Sequence, residues 1–139
     1  MLKFPYGISD FYTIRTEGYV YIDRTDRIAL VEEAGKQLVF LRPRRFGKSL
    51  WLSTLENYYD VAKAGEFAQL FGDLTIGRNP TPRHNSYFIL RWDFSLISAQ
   101  GGIAEIGQAL HAHINARIQG FAAVSYTHLT LPTLSTLYI

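Results

Sequence analysis

The 139-residue sequence predicts an α/β domain: a mostly parallel sheet with flanking helices. Two observations carry this. Short runs of β-forming residues alternate with stretches of helical periodicity. One such run, Val39-Phe40-Leu41, is followed by a Pro- and Arg-rich loop, Gly47-Lys48-Ser49, and a helical pattern opening at Leu50-Trp51-Leu52. Hydrophobic content of 47% and charged content of 19% exclude a disordered chain and allow one modest domain with a core.

The elements follow in order. Tyr19 to Ile22 is rich in β-formers and reads as a short strand ended by Asp23. Thr25 is positioned to cap a helix through Ile28, Ala29, Leu30 and Val31, with Asp26 in its first turn and Gly35 as the stop. Gln37 to Leu41 reads as a buried strand. A helix from about Lys48 to Ala62 places Leu52, Leu55 and Tyr59 on one face, widened by Trp51 and Tyr58. Gly65 breaks it. Phe67, Leu70 and Phe71 form a short apolar helix, followed by Leu74 to Gly77. Arg78 to Pro82 is a loop on its Pro content. Tyr87 to Leu90 is a further strand, extended in character to Asp93. Gly101-Gly102 opens a helix carrying Ile103, Ile106, Leu110, Ile114 and Ile118 on one stripe.

The strand, Gly-Lys-Ser loop and helix have the layout of a phosphate-binding loop. Unpaired N–H groups and the helix dipole attract anions there. Lys48 is placed to reach terminal phosphates and the Ser49 hydroxyl to sit on Mg²⁺. Gly47 allows close backbone approach. Arg45 and Phe46 offer backbone N–H groups, and Leu50 completes the segment 44–50. The Arg44 and Arg45 side chains suit phosphate; a solvated basic loop is an equal alternative for them. Arg42 stands where the usual pattern has its first glycine.

Asp93, at the end of the apolar run Tyr87 to Trp92, is a candidate for holding Mg²⁺ through water. A strand-end aspartate turning the chain is the preferred reading. His111 and His113 are two apart on a helix and point to different sides, and His84 has no other ligand nearby in sequence, which argues against metal sites. Cysteine is absent, so disulfides and Cys-based zinc sites are excluded. The net charge of +2 does not by itself indicate a nucleic-acid binder, but Arg42, Arg44, Arg45 and Lys48 concentrate positive charge at the loop. No apolar run spans a membrane, and a cytoplasmic protein is expected.

Three segments, Phe4 to Thr25, Leu41 to Asp60 and Phe71 to Ser95, resemble in order the AAA-ATPase-like family of bacterial ATPases. The resemblance implies a P-loop NTPase-like fold that binds ATP with Mg²⁺. It makes Arg42-Pro43-Arg44-Arg45-Phe46-Gly47-Lys48-Ser49 the family's own form of the loop. It also implies a later acidic pair that activates water, and often a nuclease-like domain through which nucleic acid is a partner. Neither is visible in this sequence: no acidic residue follows Glu105. Hydrolysis is therefore expected of a full-length parent and impaired in this chain. The alternative is a basic-loop nucleic-acid-binding module without ATP chemistry. Val124 to Thr133, VSYTHLTLPT, resembles the translation of a sequencing-library transposon-end adapter. Residues 1–123 are accordingly read as the truncated N-terminal part of the domain, and 124–139 as a non-native tail.

Overall fold

The computed structural model describes residues 1–97 and 100–128, with side chains described to residue 123. Its class is mostly helical, 55% by residue, and this overturns the parallel-sheet expectation. Among the described residues, β pairing is confined to two isolated parallel bridges, Lys3 with Tyr19 and Asp60 with Tyr87. The predicted strands Tyr19–Ile22 and Tyr87–Leu90 thus each make a single bridge, and Gln37–Leu41 makes none. The physical reason is pairing. A β-rich run satisfies its backbone only beside a neighbour, and β propensity measures fit to a pleated surface that must already exist. Val39 and Leu41 are each 84% exposed, so this run is not a buried strand.

The described residues divide into two compact units, one over Met1–Phe88 and one over the described residues from Ile89 to His128. In the first, α1 (Phe11–Thr16) is capped by Asp10, whose side chain accepts from Thr13 N–H at 2.9 Å. A 3₁₀ turn over Thr25–Arg27 leads into α2 (Ile28–Glu33). Thr25 does not cap α2, whose N-cap position is Arg27 without a side-chain bond; Thr25 N–H instead donates to Asp23 Oδ1 at 2.8 Å. Thr25 itself is fully buried. Gly35 lies at φ +124° past the end of α2, a conformation costly for a side chain.

The longest helix of this unit, α3 (Lys48–Tyr59), is followed by a 3₁₀ segment over Val61–Glu66 and the short helices α4 (Phe67–Phe71) and α5 (Thr75–Arg78). The α3 terminus does not leave its carbonyls orphaned. Asn85 N–H donates to Tyr58 O at 2.9 Å, and Tyr87 N–H donates to Tyr59 O at 3.0 Å.

The core lies where α1 meets α3 and α4. Phe11, Ile14, Tyr58, Leu70 and Phe71 are fully buried. The Phe11 and Phe71 rings stack at 4.9 Å, and the Tyr58 ring meets Phe71 edge-on at 5.4 Å. The buried face of α3 differs from the apolar stripe. Leu52 is 47% exposed, whereas Ser53, Thr54 and Asn57 are buried. Ser53 Oγ accepts from Phe11 N–H at 2.9 Å and donates to Asp10 Oδ1 at 3.1 Å, which ties α3 to the start of α1. Arg15 Nε donates to Leu70 O at 2.8 Å, and its guanidinium pairs with Asp73.

In the second unit, α6 (Ile103–His128) begins at the expected Gly101-Gly102. Glu105 Oε2 accepts from Gly102 N–H at 2.6 Å, the half of a capping box in which the third helical residue reaches back to the N-cap. The helix continues through 124–128, into the stretch read above as a tail. Residues 129–139 of that stretch lie outside the described residues.

Candidate phosphate-binding site

The segment between α2 and α3 carries the loop. Gly47 occupies the N-cap of α3 at φ +74°, ψ 20°. The left-handed position is the reason a glycine is needed there, because it turns the chain into the helix without a Cβ clash. The first intrahelical bond runs from Trp51 N–H to Gly47 O at 2.9 Å. The N–H groups of Lys48, Ser49 and Leu50 thus precede the helical ladder and carry the positive end of the dipole. Arg45 also has positive φ, +67°, unusual for a residue with a side chain.

Lys48 folds back on its own loop. Its Nζ donates to the backbone carbonyls of Arg42 and Pro43, the latter at 3.3 Å. The ammonium is thereby held across the backbone of its own loop. Arg44, Arg45, Gly47 and Ser49 are exposed, as is Phe46 at 63%; Lys48 and Leu50 are half-buried. Leu50 O accepts from Thr54 Oγ1 at 2.9 Å, so its carbonyl serves the helix. The Arg42 guanidinium lies over the Phe40 ring at 5.4 Å. No acidic residue occurs between Gly35 and Leu55, so the local field is positive.

This donor set suits a phosphate ester: helix N–H groups, an ammonium held by main chain, and exposed guanidinium groups. For a divalent cation the loop supplies the Ser49 hydroxyl. Among the described residues there is no group of three or more His, Asp or Glu placed to hold a metal.

Asp93 belongs to the second unit and Ser49 to the first. Its carboxylate accepts from Ser95 N–H at 3.0 Å and from Ser95 Oγ at 2.6 Å, starting a 3₁₀ turn over Phe94–Leu96. These hydrogen bonds hold its carboxyl below the usual aspartate range. His84 Nδ1 lies 2.7 Å from Thr81 O and its ring packs against Phe67 at 4.9 Å. Two features of the loop had no signal in the sequence: the backbone partners of Lys48 and the left-handed Arg45.

Residues 5–136 match the family described as predicted AAA-ATPase. The chain belongs to that family. It is also 35% identical over 119 residues to an uncharacterized protein in the vnfD 5′ region of Azotobacter chroococcum mcd 1. The aligned part is 81% of this chain and 20% of that protein, so the chain spans about a fifth of the length of the curated relative it matches. No solved structure matches. Among the described residues, no helix is long and apolar enough to cross a membrane.

Proposed function

We propose that the chain binds ATP with Mg²⁺ through residues 44–50, as the phosphate-holding part of an AAA-ATPase-like protein. The observation that carries this reading is Lys48: its ammonium is fixed on the loop carbonyls at the N-terminus of α3, beside a left-handed Gly47. Family membership supports ATP as the ligand class. In this reading the N–H groups of Arg45 to Leu50 and the ammonium of Lys48 bind the β- and γ-phosphates. Ser49 orients the cation. ATP supplies the phosphoryl group to be transferred. Lys48 would offset charge developing on it during in-line attack by water in a full-length protein. A cytoplasmic setting belongs to the same proposal, because ATP is the ligand. So does a nucleic-acid partner acting through regions of a longer parent.

Titration with a fluorescent ATP analogue in the presence of Mg²⁺ tests the proposal. Saturable binding is expected, weakened about tenfold to a hundredfold in Lys48→Ala, the worth of one charge-assisted hydrogen bond. Ser49→Ala is expected to weaken binding only when Mg²⁺ is present. Binding indifferent to Lys48→Ala would sink the assignment.

The exposed Arg44, Arg45 and Phe46 favour one second reading, contact of the basic loop with single-stranded nucleic acid. Its signature is salt-dependent DNA binding that ATP does not compete and that survives Lys48→Ala.

A further inference from the structure

Glu32 stands near the end of α2, just before the connector 34–47 that carries the phosphate loop. Its Oε1 accepts two hydroxyl donors. Tyr59 OH donates from 3.0 Å, and Thr81 Oγ1 donates from 2.7 Å. The proton directions are determined. The single Thr81 hydroxyl proton points at Glu32 Oε1. Tyr58 OH, 3.0 Å from Thr81 Oγ1, must then donate to that oxygen, while it accepts from Thr81 N–H at 2.8 Å. The resulting chain runs Tyr58 to Thr81 to Glu32, with Tyr59 entering from the other side. It joins α2, the last turn of α3 and the loop after α5.

The placement matters because of what lies between. The connector from Ala34 to Gly47 contains no helix and no bridge. It is anchored through its two ends. One end is the Lys48 contact with Arg42 and Pro43. The other is α2, which Glu32 fastens to the last residue of α3, the helix whose first turn follows the loop. Burial, followed by the charge and hydrogen bond of the Glu32 carboxylate, pushes the Tyr59 phenol well above its usual range, so the donor stays protonated.

We infer that Glu32 is a positioning residue for the phosphate loop: by gathering the Tyr59 and Thr81 hydroxyls it sets the approach of the connector to α3. The inference rests on the reading of Lys48 and its neighbours as the phosphate loop. It predicts a local effect that a general loss of stability does not give. Limited trypsin digestion reads it directly, because Arg44 and Arg45 are exposed in the loop while Arg24 and Arg117 are exposed elsewhere.

In Glu32→Ala, cleavage after Arg44 and Arg45 is expected to rise several-fold while cleavage after Arg24 and Arg117 stays at the wild-type rate. Glu32→Gln keeps an acceptor oxygen for both hydroxyls and is expected to restore the wild-type pattern. Tyr59→Phe removes one hydroxyl with little change of packing and is expected to lie between the two, which keeps the test decisive if Glu32→Ala folds poorly. Uniform acceleration at every site, or no change in the loop for both Glu32→Ala and Tyr59→Phe, overturns the inference. The digestion needs no nucleotide, so it stands apart from the ATP titration. Should both the wild type and Lys48→Ala fail to bind ATP while the cleavage pattern holds, the nucleotide assignment falls and the clamp stands.

Discussion

Asp23 Oδ2 accepts from both the backbone N–H and the hydroxyl of Thr75, each at 2.7 Å. The other oxygen accepts from the N–H and hydroxyl of Thr25, and the Thr25 hydroxyl in turn accepts from Ile76 N–H at 3.1 Å. One carboxylate thus joins the entry of α2 to the start of α5. Burial alone would raise its pKa, but the hydrogen bonds from Thr25 and Thr75 outweigh it and lower the value to about 2.

Protonating Asp23 is therefore harder in the folded chain than in the unfolded one. Its contribution to stability is complete above the ordinary value of 3.8 and is lost as pH falls through about 2. Urea unfolding of the wild type and Asp23→Asn across this range is the check. The variant is expected to be less stable by about 1–2 kcal/mol at neutral pH. The gap should close between pH 3.8 and 2; a gap independent of pH would contradict the assignment.

Ser53→Ala removes the acceptor of the buried Phe11 N–H and a donor to Asp10. A buried N–H left without a partner costs about 1–3 kcal/mol. The urea midpoint should fall by the corresponding amount with an unchanged slope. A neutral result would mean that water reaches Phe11 N–H.

Gly77→Ala is expected to be more damaging than its size suggests. A Cβ at this position would meet Phe71 O at 1.9 Å, and that atom is backbone. Separating α4 from α5 is the available response, at about 1–3 kcal/mol or more. Thermal unfolding checks this. By contrast, Gly107→Ala has open space around its Cβ and should be neutral or stabilising.

ATP with Mg²⁺ should raise the unfolding temperature of the wild type by mass action. Ligand at a hundred times its dissociation constant contributes about 2.7 kcal/mol when only the folded state binds. The shift is expected to shrink sharply in Lys48→Ala. An equal shift in both proteins would place the ligand away from α3.

The start of α3 at the Gly47-Lys48-Ser49 motif, the short helix at Phe67–Phe71 and the opening of α6 at Gly101-Gly102 were legible from local signals. A left-handed glycine, an apolar triplet and a glycine pair each act within one turn of chain. Family membership was legible as well, because it rests on order and identity of residues over nearly the whole chain. The sheet was not. Tyr19–Ile22, Gln37–Leu41 and Tyr87–Leu90 carry genuine β propensity, but whether such runs pair depends on neighbours that no local pattern supplies. Leu52 was expected inside and is exposed, while Ser53, Thr54 and Asn57 are buried. Two of the three have partners distant in sequence: Ser53 is satisfied by Phe11 and Asp10, and Thr54 Oγ1 lies 3.4 Å from Tyr21 OH.

The sequence by itself determined the chemistry at the loop: which residues carry charge, which one is free of a Cβ, and where a helix begins. Only the tertiary structure decided where that chemistry is held. The two hydroxyls on Glu32 and the Thr75 groups on Asp23 are chosen by how the chain folds back on itself, whereas the carbonyls beneath Lys48 belong to the turn of its own loop. Hydrogen bonds between groups far apart in sequence have no local signature, because their geometry exists only once the helices have packed.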